Sequence, residues 1–251
     1  MSVLQRSWQT LLLLQLIGIA VSVVIQAGPT YLQYEQRATG LDGVDLGATL
    51  GAIGLSFLSI PPVLIVNSIV VLASVYVVVA TALGRRATVG EALRGAMRRT
   101  LPLVGWSLVA ALTILAGICA CLLPGLYLWL VFLLLAPVVA FEREGVFGRC
   151  FQLFHVDLGA ALARTLTILG LTAAAAVVGA AVAAIVGFSQ PAVGTGTGGV
   201  VTATVLSLVV TAALGAAVGL LTAPLTVVAY ADLRARREPL SAQQLAAELV
   251  R

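Results

Sequence analysis

Long apolar runs and short polar stretches alternate along this chain of 251 residues. A membrane-spanning helix needs about 20 predominantly apolar residues, and runs of that length predict six spans at about 9–28, 63–83, 103–122, 126–141, 161–188 and 200–230. The first run, LLLLQLIGIAVSVVIQAG, is longer than the roughly 7–15 apolar residues of a secretory signal. Ile25 also spoils the small-residue site that cleavage after Ala27 would need, so the run reads as a retained helix. The apolar stretch from Gly47 to Gly84 has 38 residues; as one helix it would reach about 57 Å, against a hydrocarbon core of roughly 30 Å. Pro61-Pro62 is the expected break, which leaves 47–60 as an interfacial helix, a re-entrant segment or a helix extension. The expected fold class is an all-α integral membrane protein: a single domain over 1–240 forming a six-span helical bundle, with 241–251 as a short tail or helix.

The polar stretches differ in kind. PTYLQYEQRATGLDGVDLG, with Glu35, Arg37, Asp42 and Asp45, reads as an aqueous loop, LLPGLY as a tight turn at Pro124-Gly125, and SQPAVGTGTGG as a flexible uncharged connector. GRRATVGEALRGAMRRT carries helical signals: Thr88 and Glu91 fit a capping box, and Val89, Leu93, Ala96 and Met97 form an apolar stripe opposite Glu91, Arg94 and Arg98. FEREGVFGRCFQLFHVDLG places Phe147, Cys150, Phe151, Phe154 and Leu158 on one helical stripe, with Arg149 and Gln152 on the other side. Both stretches are predicted to be amphipathic interfacial helices that link two spans on the same membrane face. Ser241 and Gln244 again fit a capping box, and Leu245 and Leu249 suit either a docked terminal helix or an unstructured tail.

Composition agrees with the threading. The chain is 61% hydrophobic and 10% charged, where soluble domains carry roughly 25% charged residues. Every basic residue is arginine, which fits a GC-rich bacterial coding sequence. With both termini in the cytoplasm, all arginines but Arg37 fall on the cytoplasmic side: Arg6, Arg85, Arg86, Arg94, Arg98, Arg99, Arg143, Arg149, Arg164, Arg234, Arg236, Arg237 and Arg251. Such an asymmetry supports the span number and a multi-pass place in a bacterial inner membrane. Arginines at the edges of apolar runs suit anionic lipid headgroups and acidic side chains, not nucleic acid. The pairs Gly47/Gly51 and Gly215/Gly219 suit either close packing inside the bundle or a homo-oligomer.

Reactive chemistry is sparse. His155 is the only histidine, with no second one to share a metal and no serine or cysteine nucleophile paired with it. Cys119 and Cys121 form a lone C-x-C without the second ligand pair of a metal site, and GTGTGG lacks the lysine of a phosphate loop. No catalytic, metal or cofactor residues are therefore assigned. Arg85, Arg86, Arg94, Arg98, Arg99 and Arg149 are the candidate contacts for lipid or a partner. Glu142, Asp157, Asp232 and Arg234 are candidate structural polar residues, with Glu142 and Asp232 expected to pair with the Arg85–Arg99 cluster.

Four stretches, VGEALRGAMRRTLPLVGWSLVAAL, LLPGLYLWLVFLLLAPVV, APVVAFEREGVFGRCFQLFHVDLGAALARTLTILG and LTAPLTVVAYADLRARREPL, carry a family likeness. Over most of Gly84 to Leu240 the chain resembles the polytopic bacterial proteins grouped around the membrane domain of glycerophosphoryl diester phosphodiesterase. The matching features are the proline-glycine turn, the Pro-Val-Val-x-x-Glu segment at Pro137 to Glu142, and the Tyr-x-Asp-x-Arg pattern at Tyr230, Asp232 and Arg234. Cys150-Phe151 stands where the family often has a serine-tryptophan pair. The resemblance implies architecture and no hydrolysis, which in the namesake fusions belongs to a separate soluble barrel. The expected function is a non-enzymatic membrane protein that engages anionic lipid or a membrane partner through its cytoplasmic face. The alternative is a transporter or permease subunit for a lipid or apolar solute, since the spans lack the mid-membrane acids of proton coupling.

Overall fold

The computed structural model describes residues 3–38, 46–85, 87–142, 145–193 and 197–237. These form eight helices: α1 (Val3–Ala38), α2 (Leu46–Ala82), α3 (Val89–Ala120), α4 (Leu122–Phe132), α5 (Leu135–Phe141), α6 (Val146–Val156), α7 (Leu158–Val193) and α8 (Thr197–Ala235). Six segments are long and apolar enough to cross a membrane: Trp8–Leu32, Thr49–Ala82, Val89–Ala120, Leu122–Phe141, Leu158–Val182 and Val205–Ala235. The chain is thus an all-α bundle with six candidate spans, the fourth built from α4 and α5 together. Helix α1 packs along both α2 and α8, α2 along α3, α3 along α4, and α7 along α8, while α5 touches α2, α3, α6 and α8.

Several helices run further than the sequence pattern predicted. Helix α2 continues through Pro61 and Pro62, so 47–60 is a helix extension. A full break would release many backbone groups at once, each costing several kcal/mol in an apolar setting, whereas the continuous helix leaves few to satisfy, and Ser59 Oγ already donates to Ser56 O at 2.7 Å just before the prolines. Helix α1 likewise passes Pro29 and ends at Ala38, inside the stretch expected to be an aqueous loop. The expected connector SQPAVGTGTGG is largely helical too, since α7 reaches Val193 and α8 starts at Thr197. Arg86, Arg143, Glu144, Asp42, Asp45 and the tail 241–251 lie outside the described residues.

Two places do interrupt helices, each for a visible reason. Helix α2 ends at Gly84, whose φ of 75° lets Gly84 N–H reach Thr81 O at 2.9 Å and Arg85 N–H reach Ala80 O at 3.0 Å, a Schellman closure that a side chain would strain. Between α4 and α5 the chain turns at Leu133 and Leu134, four residues ahead of Pro137. A proline ring clashes with the carbonyl four residues earlier, and here that carbonyl belongs to Leu133.

The tightest helix contact follows the α3–α4 turn. That turn is made at Cys121, extended with φ −171°, so Pro124 and Gly125 lie in the first turn of α4 and not in the connector. Gly125 is buried against α3: a Cβ there would sit 2.3 Å from Ile118 Cγ1 and 2.7 Å from Ile118 N. Of the predicted glycine pairs, Gly219 faces α1, where a Cβ would meet the Gln15 side chain at 2.5 Å, whereas Gly51 has nothing within 4 Å. Gly215/Gly219 thus serves packing within the chain.

Gly125→Ala is expected to destabilise the protein by about 1–3 kcal/mol, because α4 must move off α3. Gly105→Ala, at an open position of α3, is expected to be neutral or to stabilise by up to about 1 kcal/mol. Thermal unfolding of the two variants in the same detergent checks this; equal melting would show that the α3–α4 contact is not close.

Candidate functional site

The arginine-bearing end of the bundle gathers the charged side chains, and the core is concentrated beneath it. Buried residues include Leu72 to Val75 and Val77 to Val79 of α2, Ala92, Ala96 and Leu103 of α3, Leu135 and Pro137 to Phe141 of α5, and Val227, Ala229, Tyr230 and Leu233 of α8.

Helix α6 belongs to this core. It starts from Gly145, whose φ is 65°, and buries Val146, Cys150, Leu153 and Phe154. Phe147 lies 4.7 Å from Phe132 and 4.9 Å from Trp106, ring centre to ring centre. The predicted apolar stripe is therefore right in its Phe147–Phe154 part, but Leu158 is 51% exposed and starts the next helix. Asp157 separates the two helices: its Oδ1 accepts from Ala160 N–H at 3.1 Å, capping α7. Burial, with Glu142 adding a like charge, pushes the Cys150 thiol up to about 12, so it stays protonated and unreactive at neutral pH. His155 Nδ1 lies 2.8 Å from Phe151 O, an acceptor, which makes Nδ1–H the donor. In the neutral ring, Nε2 then accepts from Tyr127 O–H at 3.2 Å, tying α6 to α4.

At the junction of α5, α6 and α8 the polar groups form a chain of bonds. Arg234 donates to the Tyr230 hydroxyl at 3.1 Å, that hydroxyl donates to Glu142 Oε1 at 3.0 Å, and Arg149 Nε donates to the same oxygen at 2.9 Å. Tyr230 is fully buried and Arg234 nearly so, and the Tyr230 ring stacks on Phe141 at 5.1 Å and 8°. The side chains of Glu142 and Arg149 are only 16% and 18% exposed, so this pair is only weakly screened by solvent.

A second group ties the feet of α6, α7 and α8. Asp232 accepts from Arg164 and, at 3.0 Å, from Arg236; Arg236 also reaches Asp157, and Arg237 donates to Gln152 at 3.1 Å. The carboxylates therefore take their partners from α6, α7 and α8, and the expected pairing of Glu142 and Asp232 with the Arg85–Arg99 cluster is corrected. The shared membrane face put that cluster forward, but Arg149 and Tyr230 reach Glu142, and Arg164 and Arg236 reach Asp232. Among the described residues of the cluster, Arg99 reaches this region, donating to Val139 O at 3.2 Å.

The α2–α3 corner is different. The capping box forms: Thr88 Oγ1 accepts from Glu91 N–H at 3.3 Å, and Glu91 Oε2 accepts from Thr88 N–H at 3.2 Å. The helix it starts is not a separate interfacial segment, since α3 runs unbroken through Pro102 to Ala120. Ala92, Ala96 and Thr100 face the core, while Arg94, Met97 and Arg98 are exposed. Arg85, Arg94 and Arg98 form no ion pair with the described residues. Sequence reasoning missed Tyr230 as a bridging group, although a tyrosine one turn before Arg234 is a readable signal for such a contact.

Compared with protein-family models, curated proteins and solved structures, the chain matches none.

Removing one member of the Glu142–Arg149 pair takes a charge-assisted bond from a largely buried partner, at a cost of about 1–3 kcal/mol. Glu142→Gln and Arg149→Gln are each expected to lower the melting temperature, and the double variant to lose less than the sum of the two. Strictly additive losses in that cycle would show that the two side chains do not interact.

Proposed function

We propose that this is a non-enzymatic multi-pass protein of a bacterial inner membrane, with both termini in the cytoplasm, whose arginine-bearing end holds anionic lipid headgroups. The observation that carries this reading is the division among its arginines. Arg149, Arg164, Arg234, Arg236 and Arg237 bind side chains of the protein itself. Arg85, Arg94 and Arg98 are exposed beside a helix face whose Met97 and Leu101 are 67% and 80% exposed. Unpaired guanidinium groups next to bare apolar side chains match the boundary between phosphate headgroups and acyl chains, where each arginine adds about 1 kcal/mol of attraction to an anionic surface.

Two further points support the reading. The asymmetric placement of arginine follows the bias of bacterial inner-membrane proteins. The segments Pro137–Glu142 and Tyr230-x-Asp232-x-Arg234, which carry the likeness to the phosphodiesterase-associated membrane proteins, meet through the Tyr230–Glu142 bond and the Phe141–Tyr230 stack. A shared pattern used for assembly fits kinship in architecture without shared hydrolysis. On this reading Arg149 acts as a structural cation and not as a lipid contact. The α3 turn around Arg94 and Arg98 takes over the surface role first given to a separate amphipathic helix.

Native mass spectrometry after reconstitution in mixed phosphatidylglycerol and phosphatidylcholine, followed by stepwise delipidation, tests the proposal. Phosphatidylglycerol should stay bound longer than phosphatidylcholine, and the variant Arg85→Gln/Arg94→Gln/Arg98→Gln should lose that preference while keeping its helical content. Equal retention of both lipids by the unaltered protein would refute it.

A further inference from the structure

Resting on that lipid reading, the geometry points to one defined phospholipid site on the outer face of α3, with the lipid phosphate between Arg94 and Arg98 and an acyl chain running down past Leu101, Gly105 and Leu108. Positions 94, 98, 101, 105 and 108 recur at alternating steps of four and three and so share one face of the helix. All are exposed, with Leu101 at 80% and Leu108 at 50%, and Gly105 carries no side chain and has nothing within 4 Å of where a Cβ would be, so the helix backbone is open there. The opposite face, through Ala92, Ala96, Thr100, Leu103 and Ala110, is buried, so α3 has one committed side and one bare side.

The order of chemistry along the bare side matches a phospholipid. Arg94 and Arg98 are one turn apart, about 6 Å along the axis, close enough for both guanidinium groups to reach one phosphate, and neither has an ion-pair partner among the described residues. Below Arg98 the face is apolar without interruption down to Leu112 and Leu115, themselves 66% and 57% exposed. From Arg98 to Ile118 is 20 residues, about 30 Å, which equals the hydrocarbon thickness and puts the arginines at headgroup level. Glu91, the acidic residue of the same face, lies a turn further out with its carboxylate bonded to Thr88 N–H; Arg85 and Arg94 act on it through space but neither forms an ion pair with it. The occupant is an anionic phospholipid, held by charge complementarity at the head and by the exposed apolar side chains of Leu101 and Leu108 along the chain.

Tryptophan quenching by lipids brominated on the acyl chain tests the site. In a protein with Trp8, Trp106 and Trp129 changed to phenylalanine, Leu101→Trp supplies one reporter and Leu123→Trp, in a separate protein, supplies a control 72% exposed in the unaltered chain and remote from arginine. Dibrominated phosphatidylglycerol diluted into phosphatidylcholine vesicles should quench the position-101 reporter several-fold more than dibrominated phosphatidylcholine at the same mole fraction. Arg94→Gln/Arg98→Gln should abolish that excess, and the position-123 reporter should show none. Equal quenching by the two lipids at position 101, an excess that survives removal of both arginines, or the same excess at position 123 would each overturn the site. Retention of phosphatidylglycerol in the delipidation experiment together with equal quenching here would remove this site alone; loss of both signals would remove the broader reading as well.

Discussion

The Tyr230 hydroxyl occupies a position that the rest of the bundle end is built around. It lies between the Arg234 guanidinium and the Glu142 carboxylate, in a place where Tyr230 itself has no exposed surface. Removing charges from water costs several kcal/mol each unless they are paired and hydrogen-bonded, so the carboxylate, the two arginines and the phenol depend on one another. Because Glu142 closes α5, Arg149 lies on α6, and Tyr230 and Arg234 lie on α8, satisfying this chain of bonds fixes three helix ends at once. Bonds in such a chain polarise one another and strengthen together. The Phe141–Tyr230 stack adds the apolar contact that keeps water out.

This junction determines which cations remain for the surroundings. Arg149, Arg164 and Arg236 are held by Glu142, Asp157 and Asp232, whereas Arg85, Arg94 and Arg98 at the α2–α3 corner form no ion pair with the described residues. Fold and proposed function are thus linked by charge balance: Glu142, Asp157 and Asp232 hold arginines within the bundle end, and the proposal assigns the exposed arginines outside those ion pairs to lipid headgroups. Helix α3 can present those arginines because its capping box starts it well before the apolar run, lifting Arg98 and Arg94 about one and two turns above Leu101.

Much of this was legible in the residues. The six spans follow from run length, and the α3 start from Thr88 and Glu91, because both rest on local rules. What was not legible depends on partners distant in sequence. The stripe of α6 showed which side is apolar but not that the bundle, through Phe132 and Trp106, would cover it. Met97 read as part of the apolar stripe with Val89, Leu93 and Ala96, yet it is exposed while Ala92 and Ala96 are buried, a rotation of the stripe that sequence spacing alone does not settle. Pro61-Pro62 read as a break because proline disfavours helix interiors; the surroundings outweigh that preference in α2. The carboxylate pairings were misassigned in part for the same reason: the Tyr230–Glu142 and Arg164–Asp232 contacts join distant segments, whereas Arg149 and Arg236, seven and four residues from their acids, were readable locally.

Hydrogen exchange of the protein in lipid nanodiscs, followed by peptide-level mass spectrometry, measures the central claim most directly, namely that α6 is locked into the bundle by the α5–α6–α8 junction. The account predicts that amides of 146–156 exchange as slowly as those of 226–234, and that Tyr230→Phe speeds both together. Fast exchange of 146–156 in the unaltered protein, with 226–234 protected, would contradict it and return α6 to the status of a helix resting on the membrane surface.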